Sequence, residues 1–341
     1  MKRAAVIGLG DISATHINAL RETDCVELCA VCDIDKEKSS LYGDEIPFYT
    51  DYHQMFQQEK PDCVHLCLPH YLHYPVSCDA AAAGIHVFCE KPMAVSKKEA
   101  IDFVRLEQEH PELYLGICLQ NRKNASTVML KNIIDEGSYG KVTGVQGFVP
   151  WKRTKEYYEA KPWRGRWDTA GSGVMLNQSV HTLDLMYYFG GEITQLRAMA
   201  GQLLDYSIEV EDTVAAGLTY ENGANGLFFA SNANYADHSV SIRVALEKGE
   251  FLIQDGSLFR LADHGRRELL TEDKKLAGSK FYYGASHGTL IREFYQALEE
   301  GRDDYIHIKD SLMSIVLIDA ILNASRFGNT VKIEKEQVFT T

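Results

Sequence analysis

The sequence predicts an α/β protein of two domains, the first built on a parallel sheet and the second on a large, mostly antiparallel sheet. Three observations support this prediction. Strand-like runs alternate with helix-like segments over residues 1–121, which is typical of βαβ units. Longer strand-like runs, several separated by glycine turns, follow over residues 122–341. Finally, the apolar run at 4–7 leads directly into Gly8-Leu-Gly10, as at the start of a dinucleotide-binding domain.

The first domain is expected to contain strands and helices in strict alternation. Its strand candidates are 3–7, 26–32, 63–67, 85–89 and 114–119. Its helix candidates are 15–22, 36–42, 51–58, 73–83 and 96–109. The four alanines at 80–83 followed by Gly84 indicate a helix end with a glycine cap. Because helical crossovers join parallel neighbours, we expect one parallel sheet.

The second domain is expected to be rich in strands. Strand candidates are 141–149, 194–202, 212–220, 224–234, 239–247 and 250–254, and helix candidates are 126–136, 173–189, 286–300 and 309–327. Turns such as Glu221-Asn-Gly223 separate several strands, which favours antiparallel pairing. Strands outnumber covering helices, and an uncovered apolar sheet face needs a partner. We therefore expect a homodimer or homotetramer.

Charge and hydropathy narrow the class of partner. The formal net charge is −13, which argues against nucleic acid, since that affinity rests on Lys and Arg neutralising phosphates. No apolar run is long enough to span a bilayer, and the glycines and Asp11 interrupt any signal-peptide core. We predict a cytoplasmic protein that binds a small molecule, with no nucleic-acid or membrane partner.

The eight cysteines all lie within the first 118 residues. Cys25, Cys29 and Cys32 have the spacing of an iron–sulfur site, but such a site needs a loop. Here the three lie in a strand-like run that directs them to both faces. We interpret them as buried thiols and predict no metal.

A nucleotide site is indicated at the end of the first strand. Gly8 permits a tight turn, and Gly10 lets a pyrophosphate approach the helix N-terminus; Ser13 replaces the usual third glycine. Asp33 ends the second strand, where a carboxylate accepts hydrogen bonds from ribose hydroxyls and repels a 2′-phosphate. Lys36 is the only cation expected nearby, so NAD is favoured over NADP. A plain βα turn with a surface aspartate is the alternative.

Lys91 is the first candidate catalytic residue. It precedes Pro92, which biases it away from helix, so it is expected to end its strand. Ligands bind beyond the carboxyl ends of strands in open α/β sheets. The alternative is a surface salt bridge with Glu90.

His181 is the second candidate. With Asn177 and Asp184 it falls at i, i+4 and i+7, which places the three on one face of the helix predicted over 173–189. Three polar groups on an otherwise apolar helix indicate a pocket or a buried network. The alternative is a core histidine bonded to Asp184.

Taken together, these motifs resemble the glucose-fructose oxidoreductase / inositol dehydrogenase / MocA (Gfo/Idh/MocA) family over nearly the whole chain. The residues that carry the resemblance are Gly8-Leu-Gly10-Asp-Ile-Ser-Ala-Thr-His16, Leu68-Pro69-His70-Tyr-Leu-His73, Ala83-Gly84-Ile-His86-Val87-Phe-Cys-Glu90-Lys91-Pro92, Trp163-Arg164-Gly165-Arg-Trp167, Gly171-Ser-Gly173, Asn177-Gln178-Ser-Val-His181-Thr-Leu-Asp184, His287 and Asn323-Ala-Ser325. The resemblance implies a Rossmann domain over 1–121, followed by a substrate-binding and oligomerisation domain with an open sheet over 122–341.

The resemblance also implies roles for particular residues. Lys91 and His181 take the catalytic roles. Candidate cofactor-binding residues are Gly8, Gly10, Asp11, Ile12, Asp33, Pro69, His70, His73, Glu90, Lys91, Pro92 and Gln120. Candidate substrate-binding residues are Lys91, Arg122, Trp151, Arg153, Tyr157, Tyr158, Trp163, Arg164, Asn177, His181, Asp184 and His287. The family motif often begins with Asp where this chain has Asn177, which cannot serve as that carboxylate, so Asp184, one turn beyond His181, is a candidate to orient the histidine.

The expected reaction is NAD-dependent oxidation or reduction of a carbinol in a sugar, glycoside, cyclitol or sugar derivative. His181 would remove the hydroxyl proton, while Lys91 stabilises the developing alkoxide. Two alternatives stay open from the sequence. One is a redox-neutral NAD-dependent glycosidase or lyase that works through a transient ketone. The other is a non-catalytic dinucleotide-binding regulator.

Overall fold

The computed structural model describes residues 1–41, 46–262, 266–274 and 285–334. Contacts divide the chain into two compact units. The first comprises Met1–Ala94, Lys98–Gln120 and His287–Leu312. The second comprises Val95–Lys97, Asn121–Ser286 and Met313–Thr341.

The first unit contains a six-stranded parallel sheet in the order β3-β2-β1-β4-β5-β6. Its strands are β1 (Lys2–Ile7), β2 (Val26–Cys32), β3 (Phe48–Tyr49), β4 (Cys63–Leu66), β5 (His86–Cys89) and β6 (Leu115–Ile117). Its helices are α1 (Ser13–Arg21), α2 (Tyr52–Glu59), α3 (His73–Ala82), α4 (Lys97–Glu109) and α10 (His287–Glu300). The predicted parallel α/β sheet is confirmed. β3 is an additional edge strand, and the predicted helix at 36–42 is a 3-10 helix over Lys36–Leu41, with residue 42 outside the described residues.

The segment 287–312 corrects the expected division at residue 121, because it belongs to the first unit. The reason is the apolar face of α10, where Leu290, Ile291 and Phe294 are buried. A Cβ added at Gly116 would meet the Phe294 ring at 2.8 Å, so this ring packs directly on β6. A strand this close to a large ring needs glycine.

The second unit contains a nine-stranded sheet in the order β14-β13-β12-β11-β7-β10-β9-β8-β15. Its strands are β7 (Val142–Pro150), β8 (Ile193–Gly201), β9 (Thr213–Tyr220), β10 (Asn225–Ser231), β11 (Ser241–Leu246), β12 (Gly249–Gln254), β13 (Ser257–Leu261), β14 (Arg267–Glu272) and β15 (Val331–Lys332). Its helices are α5 (Ala125–Glu136), α6 (Lys155–Glu159), α7 (Trp167–Ala170), α8 (Val174–Asn177), α9 (Val180–Gly190) and α11 (Leu312–Phe327). Among the described strands, β7 and β10 pair in parallel and all other neighbours are antiparallel. The predicted mostly antiparallel sheet is confirmed.

The single helix predicted over 173–189 is wrong, because the chain breaks between α8 and α9. Ser179 lies at φ −116°, outside helical geometry. Its hydroxyl donates to the carbonyls of Val174 at 2.9 Å and Met175 at 3.3 Å. A serine that bonds preceding carbonyls competes with helix continuation. His181 therefore lies in the first turn of a new helix, and Asn177 ends the previous one.

Cys29 and Cys32 are buried free thiols in β2, as the sequence predicted, whereas Cys25 precedes the strand and is only half-buried. Burial raises the pKa of Cys29 to about 11 and that of Cys32 to about 12. Both side chains therefore act as core hydrophobes at neutral pH. Among the helices in the described ranges, none has the length and apolar character needed to cross a membrane.

Candidate functional site

The predicted cofactor-binding residues of the first unit all follow the carboxyl ends of its strands. Because the strands are parallel, these ends share one edge of the sheet. In chain order they are Gly8, Gly10, Asp11 and Ile12 after β1, Asp33 after β2, Pro69, His70 and His73 after β4, Glu90, Lys91 and Pro92 after β5, and Gln120 after β6. The strand order reverses between β1 and β4, and nucleotide-binding crevices lie at such a reversal.

The turn after β1 has the geometry of a phosphate cradle. Gly8 has φ +92°, and a Cβ added there would meet the Cys67 carbonyl oxygen at 2.5 Å, so only glycine fits. A Cβ added at Gly10 would meet nothing within 4 Å. In dinucleotide-binding turns, open space of this kind lets a pyrophosphate approach the backbone. Ser13 donates its hydroxyl to the Gly10 carbonyl at 2.8 Å, which ties the start of α1 to the turn.

Asp33 lies against the same turn. Its Oδ2 accepts from the Leu9 amide at 2.7 Å and from Lys38 Nζ at 2.8 Å, and its Oδ1 accepts from the Asp35 amide at 2.9 Å. Burial alone would raise its pKa, but these hydrogen bonds and the Lys38 charge lower it below the usual range. The carboxylate is therefore fixed and charged. The cation in contact is Lys38, which corrects the expectation that Lys36 is the only one nearby.

The loop after β4 is joined to the loop after β5 by His73. Its Nδ1 lies 2.6 Å from the Pro92 carbonyl and its Nε2 lies 2.8 Å from the Leu68 carbonyl. The side chain is 1 % exposed. His73 thus connects two loops at the edge of the sheet where the predicted cofactor residues lie.

Glu90 is a buried anion beside Lys91. Its Oε1 lies 2.8 Å from His16 Nε2 and 3.9 Å from His287 Nε2, and its Oε2 accepts from the Lys91 amide at 3.2 Å. Burial would raise its pKa, but the His16 hydrogen bond and the nearby charges hold it well below the usual range. This position contradicts the alternative of a surface salt bridge. His287, expected to bind substrate, is placed by the structure beside Glu90 in the first unit.

In the second unit, Arg122 and Asp184 pair with each other. Arg122 donates from Nε to Oδ2 at 2.9 Å and from its terminal nitrogen to Oδ1 at 2.6 Å. Both carboxylate oxygens of Asp184 therefore accept from Arg122 in a two-pronged geometry. Asp184 thus has a charged partner in Arg122, which the sequence did not indicate.

The turn that leads to His181 is fixed by Glu211. The buried Glu211 carboxylate accepts from the Ser172 hydroxyl at 2.7 Å and from the Gly173 and Met175 amides at 2.9 and 3.2 Å. Burial raises the pKa of the Glu211 carboxyl, and these hydrogen bonds offset part of that increase. A Cβ added at Gly173 would meet the Glu211 carbonyl at 1.8 Å. The Gly171–Gly173 pattern thus reflects a close approach of two backbones.

The predicted aromatic residues of the second unit form one cluster. Tyr157 accepts at its hydroxyl from Gln178 Nε2 at 2.8 Å, and the Arg164 guanidinium lies 4.1 Å from the Tyr157 ring centroid. Arg153 lies over Trp151 at 4.6 Å, and Trp163 lies 5.8 Å from Arg164. Trp151 is 1 % exposed, so it supports the cluster from inside.

Two polar residues complete this cluster that the sequence did not single out as binding residues. Asn232 donates to Gln178 Oε1 at 3.1 Å and to the Tyr158 hydroxyl at 3.0 Å. Burial raises the pKa of Tyr158 to about 12. Gln178 lies in the motif that begins at Asn177 and leads to His181, so the sequence could have indicated it as a site residue. Asn232 directly follows β10, and no sequence motif marks it.

Two family models match the chain. One, described as an oxidoreductase family with an NAD-binding Rossmann fold, matches residues 2–116. The other, the GFO/IDH/MocA C-terminal domain, matches residues 127–252. Together they span more than half of the chain. The chain belongs to the Gfo/Idh/MocA family. Its first unit is an NAD-binding Rossmann domain, and the protein is an NAD-dependent oxidoreductase that transfers a hydride.

Individual relatives of this Gfo/Idh/MocA protein are distant. D-apiose dehydrogenase of Paraburkholderia graminis is 23 % identical over 97 % of this chain and 90 % of its own. Inositol 2-dehydrogenase of Salmonella paratyphi B is 33 % identical over 42 % of this chain and 45 % of its own. Among solved structures, the WlbA dehydrogenase from Bordetella pertussis, in complex with NADH and UDP-GlcNAcA, is 27 % identical. It matches with a TM-score of 0.84 over 98 % of this chain and 99 % of that chain.

Proposed function

We propose that this protein oxidises a secondary hydroxyl of a sugar, cyclitol or sugar derivative, or runs the reverse reduction, with Lys91 and His181 as catalytic residues. The observation that carries the proposal is the placement of Lys91. It follows β5 at the same sheet edge as the Gly8 turn and Asp33, on a backbone tied to the buried Glu90 carboxylate. A cation at that edge lies where a nicotinamide and an alkoxide would meet in this class of fold.

The cofactor fits the residues of the first unit. The open space at Gly10, with Asp11 and Ile12 in the same turn, suits a pyrophosphate, and the fixed Asp33 carboxylate suits the adenosine ribose. We assign the remaining cofactor contacts to the loops that hold Pro69, His70, Pro92 and Gln120. NAD, when bound, supplies the hydride acceptor. His73 joins two of these loops, and we assign it a supporting role.

The proton chemistry is assigned to His181 and Lys91. His181 accepts the hydroxyl proton as the carbinol is oxidised, and a positioned base contributes about 10²–10⁴-fold. Lys91 is assigned the stabilisation of the negative charge that develops on the reacting oxygen. In the reduction His181 returns this proton to the oxygen.

Substrate recognition is assigned to the second unit. Aromatic faces suit the C–H face of a sugar ring, and guanidinium groups suit hydroxyls or a carboxylate. The half-buried members of the cluster, Tyr157, Trp163, Arg153 and Arg164, are the proposed contacts. Asn177 is proposed to bind a hydroxyl next to the reacting carbon. Two of the relatives named above are an apiose dehydrogenase and an inositol dehydrogenase, and the WlbA dehydrogenase structure contains UDP-GlcNAcA, which supports a polyhydroxylated substrate.

The proposal is tested by a screen of sugars, sugar acids, glycosides and cyclitols with NAD, following the absorbance of NADH. The expected result is NADH that accumulates in proportion to the substrate consumed. Product formed without NADH would instead indicate the redox-neutral lyase or glycosidase. NAD binding with no turnover of any compound would indicate a regulator.

We also propose that the protein is a homodimer or homotetramer assembled on its open sheet. One face of this sheet carries exposed apolar side chains, including Met199 at 77 % and Leu227 at 51 % exposure. Phe148 and Phe229 are cross-strand partners whose rings stack at 4.8 Å. A contiguous apolar face of this kind is typical of an interface.

A cytoplasmic location is proposed from the thiols. All eight cysteines are free, although disulfides form readily in oxidising compartments. Free thiols throughout the Rossmann unit support a reducing compartment.

A further inference from the structure

A buried chain of hydrogen-bonded side chains leads to Glu90. The Tyr295 hydroxyl lies 2.9 Å from His65 Nε2, and His65 Nδ1 lies 2.9 Å from His16 Nδ1. His16 Nε2 lies 2.8 Å from Glu90 Oε1. The four residues come from α10, β4, α1 and the end of β5, so the chain links two helices to two neighbouring strands and ends at the residue before Lys91.

The chain is too deeply buried to carry protons to solvent. Tyr295, His65 and His16 are each 0 % exposed, and Glu90 is 5 % exposed. Burial raises the pKa of Tyr295 well above its usual range and lowers the pKa of His65 well below its usual range. Neither Tyr295 nor His65 therefore changes its protonation near neutral pH. The remaining role for the chain is to hold its side chains in fixed orientations.

The hydrogens of the chain can be placed from the acceptors. The ionised Glu90 carboxylate only accepts, so His16 must donate from Nε2. A neutral His16 then accepts at Nδ1, which requires His65 to donate from Nδ1 and to accept at Nε2 from the tyrosine hydroxyl. All three hydrogen bonds point toward Glu90. In the reverse order His16 would have to donate from both ring nitrogens, which only the protonated imidazole can do.

Glu90 is held on both oxygens. His16 fixes Oε1, and the Lys91 amide donates to Oε2. The carboxylate orientation is therefore coupled to the backbone from which the Lys91 side chain projects. We propose that Tyr295, His65 and His16 are positioning residues that fix Glu90 and, through it, the placement of Lys91. The inference rests on the catalytic role proposed for Lys91.

A metal site is the competing interpretation of this cluster. The ligand atoms of His16, Glu90 and Cys118 lie within 4.8 Å of one another. However, both ring nitrogens of His16 already lie in hydrogen bonds, one to His65 and one to Glu90, so neither nitrogen is open to a metal ion. The hydrogen-bonded chain accounts for the geometry better.

The first test reads the tautomers directly, without turnover. In protein labelled with ¹⁵N-histidine, long-range ¹H–¹⁵N spectra at pH 7 should show both histidines neutral, with His65 protonated on Nδ1 and His16 on Nε2. A cationic His16, the opposite tautomers, or stoichiometric metal in the purified protein would overturn the chain. Because this measurement needs no substrate, it stands even if the proposed reaction is wrong.

The second test separates positioning from packing. Tyr295→Phe keeps the ring, which stacks on His65, and removes the hydroxyl that bonds His65 and also contacts the Cys63 thiol. One lost hydrogen bond corresponds to about a three- to tenfold fall in kcat, with NAD affinity unchanged. Tyr305→Phe removes a hydroxyl from the same unit outside the chain and is the matched control. Equal kcat in the two variants would overturn the positioning role.

A third measurement reports on Lys91 without activity. Reductive ¹³C-methylation gives each lysine a methyl signal, and the Lys91 signal is assigned by its loss in Lys91→Arg. Tyr295→Phe should shift or broaden that signal, and Tyr305→Phe should leave it in place. An unmoved Lys91 signal in Tyr295→Phe would show that the chain does not reach Lys91.

Discussion

Acid destabilisation is the property for which the structure gives a magnitude, and His287 is the residue that tests it. His287 is 6 % exposed. Burial lowers its pKa from 6.5 to about 4, although the Glu90 charge acts in the opposite direction. The folded protein therefore keeps this imidazole neutral at pH values where the unfolded chain protonates it.

The size and direction of the effect follow from linkage. Between pH 6.5 and about 4 the unfolded state binds one more proton at His287 than the folded state. The free energy of unfolding therefore falls as the pH falls, by about 1.4 kcal/mol per pH unit and about 3 kcal/mol in total. Above pH 6.5 the contribution of this site is fully present.

His287→Gln removes the titrating group and should flatten this part of the profile. Urea unfolding at several pH values, followed by circular dichroism, gives the free energy of unfolding of each variant. Other buried histidines remain in both proteins, so the difference between the two slopes reports His287. His53→Gln, which removes an exposed imidazole from the same unit, is the matched control. If His287→Gln changes the slope of unfolding free energy against pH no more than His53→Gln does, His287 does not cause the predicted acid destabilisation.

Three other predictions concern the cofactor, the second unit and assembly. Asp33→Ser should weaken NAD binding by about tenfold or more, since it removes a charged acceptor, and should reduce the preference for NAD over NADP. If fluorescence titration shows an unchanged ratio of the Kd values for NADP and NAD, Asp33 does not have the assigned role. Gly173→Ala should cost about 1–3 kcal/mol of stability through its clash with the Glu211 carbonyl, measured by denaturant unfolding; wild-type stability would refute the clash. Charges at the open sheet face, in Met199→Glu with Leu227→Glu, should reduce the mass seen by light scattering, and an unchanged mass would place the interface elsewhere.

The parts of the fold set by local patterns could be predicted from the sequence. Continuous apolar runs such as 63–67 indicated strands buried on both faces, and the helices between them required parallel pairing. The strand at 257–261 was not predicted, because only a two-residue turn separates it from the preceding strand. The sequence also placed Gly8, Asp33 and Lys91 at strand ends, where the structure has them.

Contacts between distant parts of the chain could not be predicted in this way. The pairing of Arg122 with Asp184 and the contact of Tyr295 with His65 join residues far apart in sequence. No local pattern reports such partners. The break at Ser179 was a different failure, since a serine inside an apolar helical pattern gives only a weak signal that its hydroxyl will bond preceding carbonyls.

The most direct test of the proposed role of His181 is the single-turnover rate of NADH formation in His181→Ala, compared with the wild type on a substrate found in the screen. Circular dichroism and NAD titration first confirm that the variant is folded and binds the cofactor. We predict a rate lower by about 10²–10⁴-fold, because the variant lacks the base that accepts the hydroxyl proton. A folded variant that forms NADH at close to the wild-type rate would contradict the assignment of His181 and the proton chemistry built on it.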